Sequence, residues 1–167
     1  MIFHLNLLHL VLVLGAMGAV HLALREIRGR SMRAWRLFAL PAVAVVLAMI
    51  LVLFQLAARQ PSWWFGAVFA AGAAVGAVRG ATMIIKVDQN LRLLRPTSRR
   101  ALFWVTLAIP IAIGIEIGGA MVGADGVLLR LAAAFAMVLC AGLLAGRAVV
   151  LAARLHHAPH VDFRRMS

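Results

Sequence analysis

Long uncharged apolar runs alternate along this chain with short polar stretches rich in arginine. Taking each run between its polar punctuation predicts spans at about 2–24, 37–58, 63–85, 101–122 and 127–150, each near the ~20 residues that a helix needs to cross a bilayer. The expected fold is all-α: a polytopic transmembrane bundle of five spans, a single integral membrane domain over residues 1–167 with a tail from 151 onward. The connections then alternate between two sides. Arg25, Arg28, Arg30, Arg33 and Arg36 form one basic cluster, Arg79, Lys86, Arg92, Arg95, Arg99 and Arg100 a second, and Arg147, Arg154, Arg164 and Arg165 a third. All three fall on one side. Of the 17 Lys and Arg residues, only Arg59 and Arg130 fall on the other. By the positive-inside rule the amino terminus is expected outside and the carboxyl terminus in the cytoplasm.

The first span also carries Ala16, Met17, Gly18 and Ala19, a small-residue set like that of a signal-cleavage region. With no basic segment ahead of it and the positive charges behind, an uncleaved anchor is the better reading. Trp63 and Trp64 mark the expected outer interface and Trp35 and Trp104 the inner one. Pro41 and Pro110 sit within spans as candidate kinks. Small residues recur at four-residue spacing: Gly72, Gly76 and Gly80; Gly119 and Gly123; Gly142 and Gly146. Such rows let helix backbones approach closely, and any row left uncovered would be a docking face for another protein. In the third connection, Ile84 to Val87 and Leu91 to Leu94 flank the turn-forming set Asp88, Gln89 and Asn90, so a short β-hairpin is expected near 84–94. The alternative is that the third helix runs on to about Asn90. Pro96 then interrupts the chain, and Thr97 or Ser98 can cap the fourth span.

Composition fits a chain whose solvent is lipid: 65% of residues are hydrophobic and 13% charged. A net charge of +12 in a soluble protein would point to nucleic acid. Here the charge lies beside the spans and reads as an orientation signal, with Arg25, Arg28, Arg30, Arg33, Arg36, Arg95, Arg99 and Arg100 as contacts for anionic head groups. No nucleic-acid partner is expected. Cys140 is the single cysteine, so an intramolecular disulfide, a CxxC relay and a cysteine zinc site are all excluded. It reads as a small buried apolar residue.

Glu116 is the most informative residue, because it lies well inside the fourth span, where a lipid-facing carboxylate is costly. Ala112, Gly119, Ala120 and Gly123 fall on or near its face at helical spacing, which argues for an inward side chain. Arg130 in the fifth span lies at a compatible depth. The two are read either as a buried pair that fixes helix register or as a proton or cation site with Glu116 as the titrating group. The histidines do not assemble a haem or metal site within the chain. His4, His9 and His21 lie on one span, and their spacing does not put them on one face. His156, His157 and His160 permit metal binding but read better as a solvated tail. Asp88 and Asp125 read as turn residues, and Glu26 and Asp162 as counter-charges within basic segments. No catalytic residues, resident cofactor or metal are expected, since paired carboxylates, nucleophile elbows, phosphate loops and HExxH are all missing from the sequence.

The stretch Met83-Ile84-Ile85-Lys86-Val87-Asp88-Gln89-Asn90-Leu91-Arg92-Leu93, the basic approach to the fourth span and the closing Gly146-Arg147-Ala148-Val149-Val150 resemble the CcdC-type small integral membrane proteins of bacteria. The resemblance covers roughly the second half of the chain. It implies an accessory or assembly role near respiratory cytochromes and carries no catalytic residues. The expected function is a non-enzymatic accessory, assembly or structural subunit in the bacterial inner membrane, with lipids and a membrane-protein partner or further copies of itself as neighbours. Two alternatives stand beside it: a small proton- or ion-coupled transporter using Glu116 and Arg130, and a haem- or quinone-associated subunit whose histidine ligand meets a partner chain.

Overall fold

The computed structural model describes residues 7–27, 32–33, 37–57, 61–83, 85–88, 93–96 and 100–155. Five helices dominate: α1 (Leu7–Ile27), α2 (Ala39–Ala57), α3 (Trp63–Thr82), α4 (Arg100–Val122) and α5 (Val127–Leu155). All are long and apolar enough to cross a membrane, and the chain is a multi-pass helical membrane protein. Helix α5 runs past the expected end near residue 150 to Leu155. Arg154 lies in its last turn, where a cation opposes the negative end of the helix dipole.

Helices α1, α2, α5 and α4 form a square in which α1 and α5 both pack on α2 and on α4, so that α1 and α5 stand on a diagonal. Helix α3 lies outside the square and packs chiefly on α5. The inward stripe of α1 is His9, Leu12, Ala16, Ala19 and Ala23, spaced by three or four residues as a buried helical face requires. Leu40, Ala44, Leu47, Leu51 and Gln55 form the stripe of α2. Leu102, Thr106, Ile109, Ala112 and Glu116 form that of α4. The hydroxyl of Thr106 is satisfied locally, donating to the carbonyl of Leu102 at 2.7 Å. The outward faces are apolar too, with Leu7, Met17, Val46, Met49, Val78 and Leu128 all exposed. That surface is what a lipid solvent accepts.

Without a hydrophobic effect to press helices together, close packing has to do so, and α3 meets α5 through glycine. A Cβ on Gly72 would stand 2.5 Å from the Leu139 carbonyl oxygen, and one on Gly80 would stand 3.0 Å from that of Arg147. Gly76 meets the backbone of Leu143 more closely still. The contact is reciprocal: Gly142 and Gly146 of α5 lie against the carbonyls of Phe69 and Ala73. Gly119 packs on Gly126 and the stem of Arg130, joining α4 to the start of α5. Gly123 departs from the expected packing row. It has nothing within 4 Å of its Cβ position and a φ of 78°, so it serves the turn Gly123–Gly126, whose left-handed backbone favours glycine. Pro41 also departs from expectation. It is the third residue of α2, in the first turn, where a missing N–H breaks no helix hydrogen bond. Pro110 lies inside α4.

A three-stranded sheet joins the connections at the end where α1 and α3 finish. Strands β1 (Met32–Arg33), β2 (Ile85–Asp88) and β3 (Leu93–Pro96) lie in the order β1-β3-β2, all antiparallel. Asp88 pairs with Leu93, and Met32 with Leu94. For these strands it is the backbone that is described. Gln89 and Asn90 lie outside the described residues, as do Thr97 and Ser98.

Candidate functional site: polar layers at the two ends of the bundle

Each helix of the square ends its inward stripe, at the end away from the sheet, on a polar side chain. His9 of α1, Gln55 of α2 and Glu116 of α4 are buried, and Arg130 of α5 is half-buried. The Arg130 Nε donates to Glu116 Oε1 at 2.8 Å. Glu116 has no accessible surface, and its Oε2 has no hydrogen-bond partner. The approach is possible because Gly119, one turn along α4, has no side chain to obstruct the Arg130 stem. His9 stacks on Phe54 with centroids 5.7 Å apart, and neither of its ring nitrogens has a partner. His21, by contrast, is exposed, so these two histidines do lie on different faces. It borders a groove of about 430 Å³ between α1 and α4, lined largely by apolar side chains and Pro110. Among the described residues no three His, Cys, Asp or Glu side chains come together as a metal site. Cys140 is buried and free.

The other end carries a second layer. Arg147 Nη2 donates to Glu26 Oε1, and the two side chains are only 10% and 9% exposed. This ion pair crosses the diagonal of the square, from the end of α1 to α5. Arg154 Nη1 donates to the carbonyls of Gly80 at 2.8 Å and Met83 at 2.9 Å, and the Thr82 hydroxyl donates to that of Arg79 at 3.1 Å. The last carbonyls of α3, which have no partner within the helix, are thus met by side chains. The contacts also fix topology: α1, α3 and α5 all finish at this end.

Sequence reasoning brings together Glu116 with Arg130 and assigns the glycine rows, Gly123 apart. It assigns Glu26 to its local basic segment, whereas the fold pairs it with Arg147. It gives no role to His9 as a buried group, to Gln55 or to Arg154 as a cap; the period of the inward stripes would have placed His9 and Gln55 on them. Arg25 is exposed at the end of α1. Arg28, Arg30, Arg36 and Arg99 lie outside the described residues, as do His4, His156, His157 and His160, while Arg33, Arg95 and Arg100 are described by their backbone alone. Trp63 and Trp64 are exposed at the end with Glu116, and Trp104 is exposed at the end with Arg147. No family model, curated protein or solved structure matches the chain.

Proposed function

We propose that this protein is a non-enzymatic accessory or structural subunit of a bacterial inner-membrane complex, with its amino terminus outside. The observation that carries this reading is the use made of two carboxylates, the fully buried Glu116 and the largely covered Glu26: each accepts from an arginine of α5. Charges in a low-dielectric interior are tolerated when paired, and here the pairing ties α1 and α4 to one central helix. Acidic groups used in this way hold a bundle in register. Helix α4 also keeps Gly114 and Gly118, at four-residue spacing, with nothing within 4 Å of either, a face on which a helix of a larger complex can lie closely. The likeness of the second half of the sequence to CcdC-type proteins is the ground for proposing a complex linked to cytochrome biogenesis.

Affinity purification in mild detergent from native membranes, with co-purifying proteins identified by mass spectrometry, tests the reading. Stoichiometric recovery of a respiratory or biogenesis complex, lost on Gly114→Ile with Gly118→Ile, is the expected result. Recovery alone or as a homo-oligomer overturns it. A second reading, proton or cation movement at Glu116, is favoured by its unpartnered Oε2 and by the unpartnered nitrogens of His9 in the same polar layer. Its test is flux in proteoliposomes: a Glu116→Gln protein that remains folded and conducts as before sinks it.

A further inference from the structure

A cleft of about 210 Å³ opens between α3, α4 and α5 at the end of the bundle that holds Arg147. Its walls are graded. Arg79 lies in the last turn of α3, and Arg147 is level with the ends of α1 and α3, while Val75 and Leu144 lie about one turn deeper on α3 and α5 and Val105 lies in the second turn of α4. Arg79 is exposed. The Arg147 side chain is nine-tenths buried, and although one of its terminal nitrogens serves Glu26, its Nε has no hydrogen-bond partner. Arg154 stands beside the mouth, bonded to the carbonyls of Gly80 and Met83. Among the described side chains, three guanidinium groups outnumber the carboxylate of Glu26 at this corner. An unsatisfied buried donor in such a field is a place where an anionic oxygen gains most.

We propose that the cleft is a binding site for an anionic phospholipid, with the phosphate held by Arg79 and Arg147 and one acyl chain lying against Val75, Val105 and Leu144. The grading selects the lipid over free phosphate, because an inorganic ion would leave the apolar depth of the cleft unfilled. It also selects an anionic head group over a zwitterionic one, whose own cation would face Arg79. This site is distinct from contacts of the loop arginines with the membrane surface, since it is bounded by three helices and includes a buried side chain.

The test is thermal unfolding of the delipidated protein in neutral detergent, titrated separately with phosphatidylglycerol, phosphatidylcholine and inorganic phosphate. Phosphatidylglycerol should raise the midpoint saturably, and the other two should leave it unchanged. Arg79→Gln should weaken the apparent affinity for phosphatidylglycerol roughly tenfold, the worth of one charge-assisted hydrogen bond. Val105→Trp, which fills the apolar depth and keeps both arginines, should also abolish the response, and it decides the matter should Arg79→Gln fail to fold. An equal response to phosphatidylcholine or to phosphate, or an undiminished response in both variants, overturns the proposal.

Discussion

Glu116 shows what one buried charge demands of its surroundings. It has no exposed surface and a single partner, Arg130, whose side chain is 30% exposed and so remains partly solvated. Removing the arginine leaves a carboxylate with neither water nor a counter-ion, which costs about 3–5 kcal/mol in comparable buried pairs, whereas removing both charges is often close to neutral. Arg130→Met alone should therefore unfold at a markedly lower temperature in detergent than Glu116→Gln combined with Arg130→Met. A double-mutant cycle on the thermal midpoints measures the coupling, and additive effects would show that the contact contributes nothing. This pair was legible from sequence because both residues interrupt apolar runs at matching depth on consecutive spans. Glu26 with Arg147 was not: with Arg25 and Arg28 beside it, Glu26 has local partners enough, and only the folding of α1 and α5 to a common end supplies a better one 121 residues away.

At the scale of the element, α3 depends on contacts made one carbonyl at a time. It lies outside the square, so close backbone approach to α5 carries its attachment, and a side chain at the tightest point must separate the helices. Gly76→Leu should cost roughly 3 kcal/mol or more, at the upper end of overpacking effects. Gly66→Leu, on the same helix with nothing within 4 Å of its Cβ position, should cost little. Unfolding of both variants in the same detergent checks the contrast, and equal losses would mean that the glycines serve something other than packing. The lower end of α3 rests on Arg154, whose guanidinium meets two carbonyls. Arg154→Gln should leave the bundle folded and raise hydrogen exchange at residues 80–83, with little change in the middle of α3. The four-residue spacing made the glycine rows visible in the sequence. Their partners are not visible there, because spacing names a face without naming what it meets, and Gly126, which lies against Gly119, belongs to none of these rows. Gly123 satisfies the spacing yet serves a turn, since a row rule cannot see that the helix has already ended at Val122.

At the scale of the whole molecule, the two ends differ in charge while the middle is uniform. The five spans were legible because each needs the same length of apolar chain and polar residues are dense only between them. The two-residue strand β1 was not, having too few residues to carry a pattern. Among the described side chains, the ends of α1, α3 and α5 gather Arg25, Arg79, Arg147 and Arg154, while the other end holds Arg130, already bound to Glu116. Charge of this sign resists translocation, so insertion should leave the arginine end in the cytoplasm. Cysteine labelling reads that directly, since Cys140 is the single native thiol and is buried. In a Cys140→Ala background, Ser62→Cys and Asp125→Cys place thiols at exposed positions beside the Glu116 end, and Thr82→Cys places one at the Arg147 end. A membrane-impermeant maleimide should label the first two in right-side-out vesicles and the third only in inverted ones. The reverse pattern would put the arginine clusters outside. The lipid cleft would then face the outer leaflet, and the charge asymmetry would need a cause other than orientation.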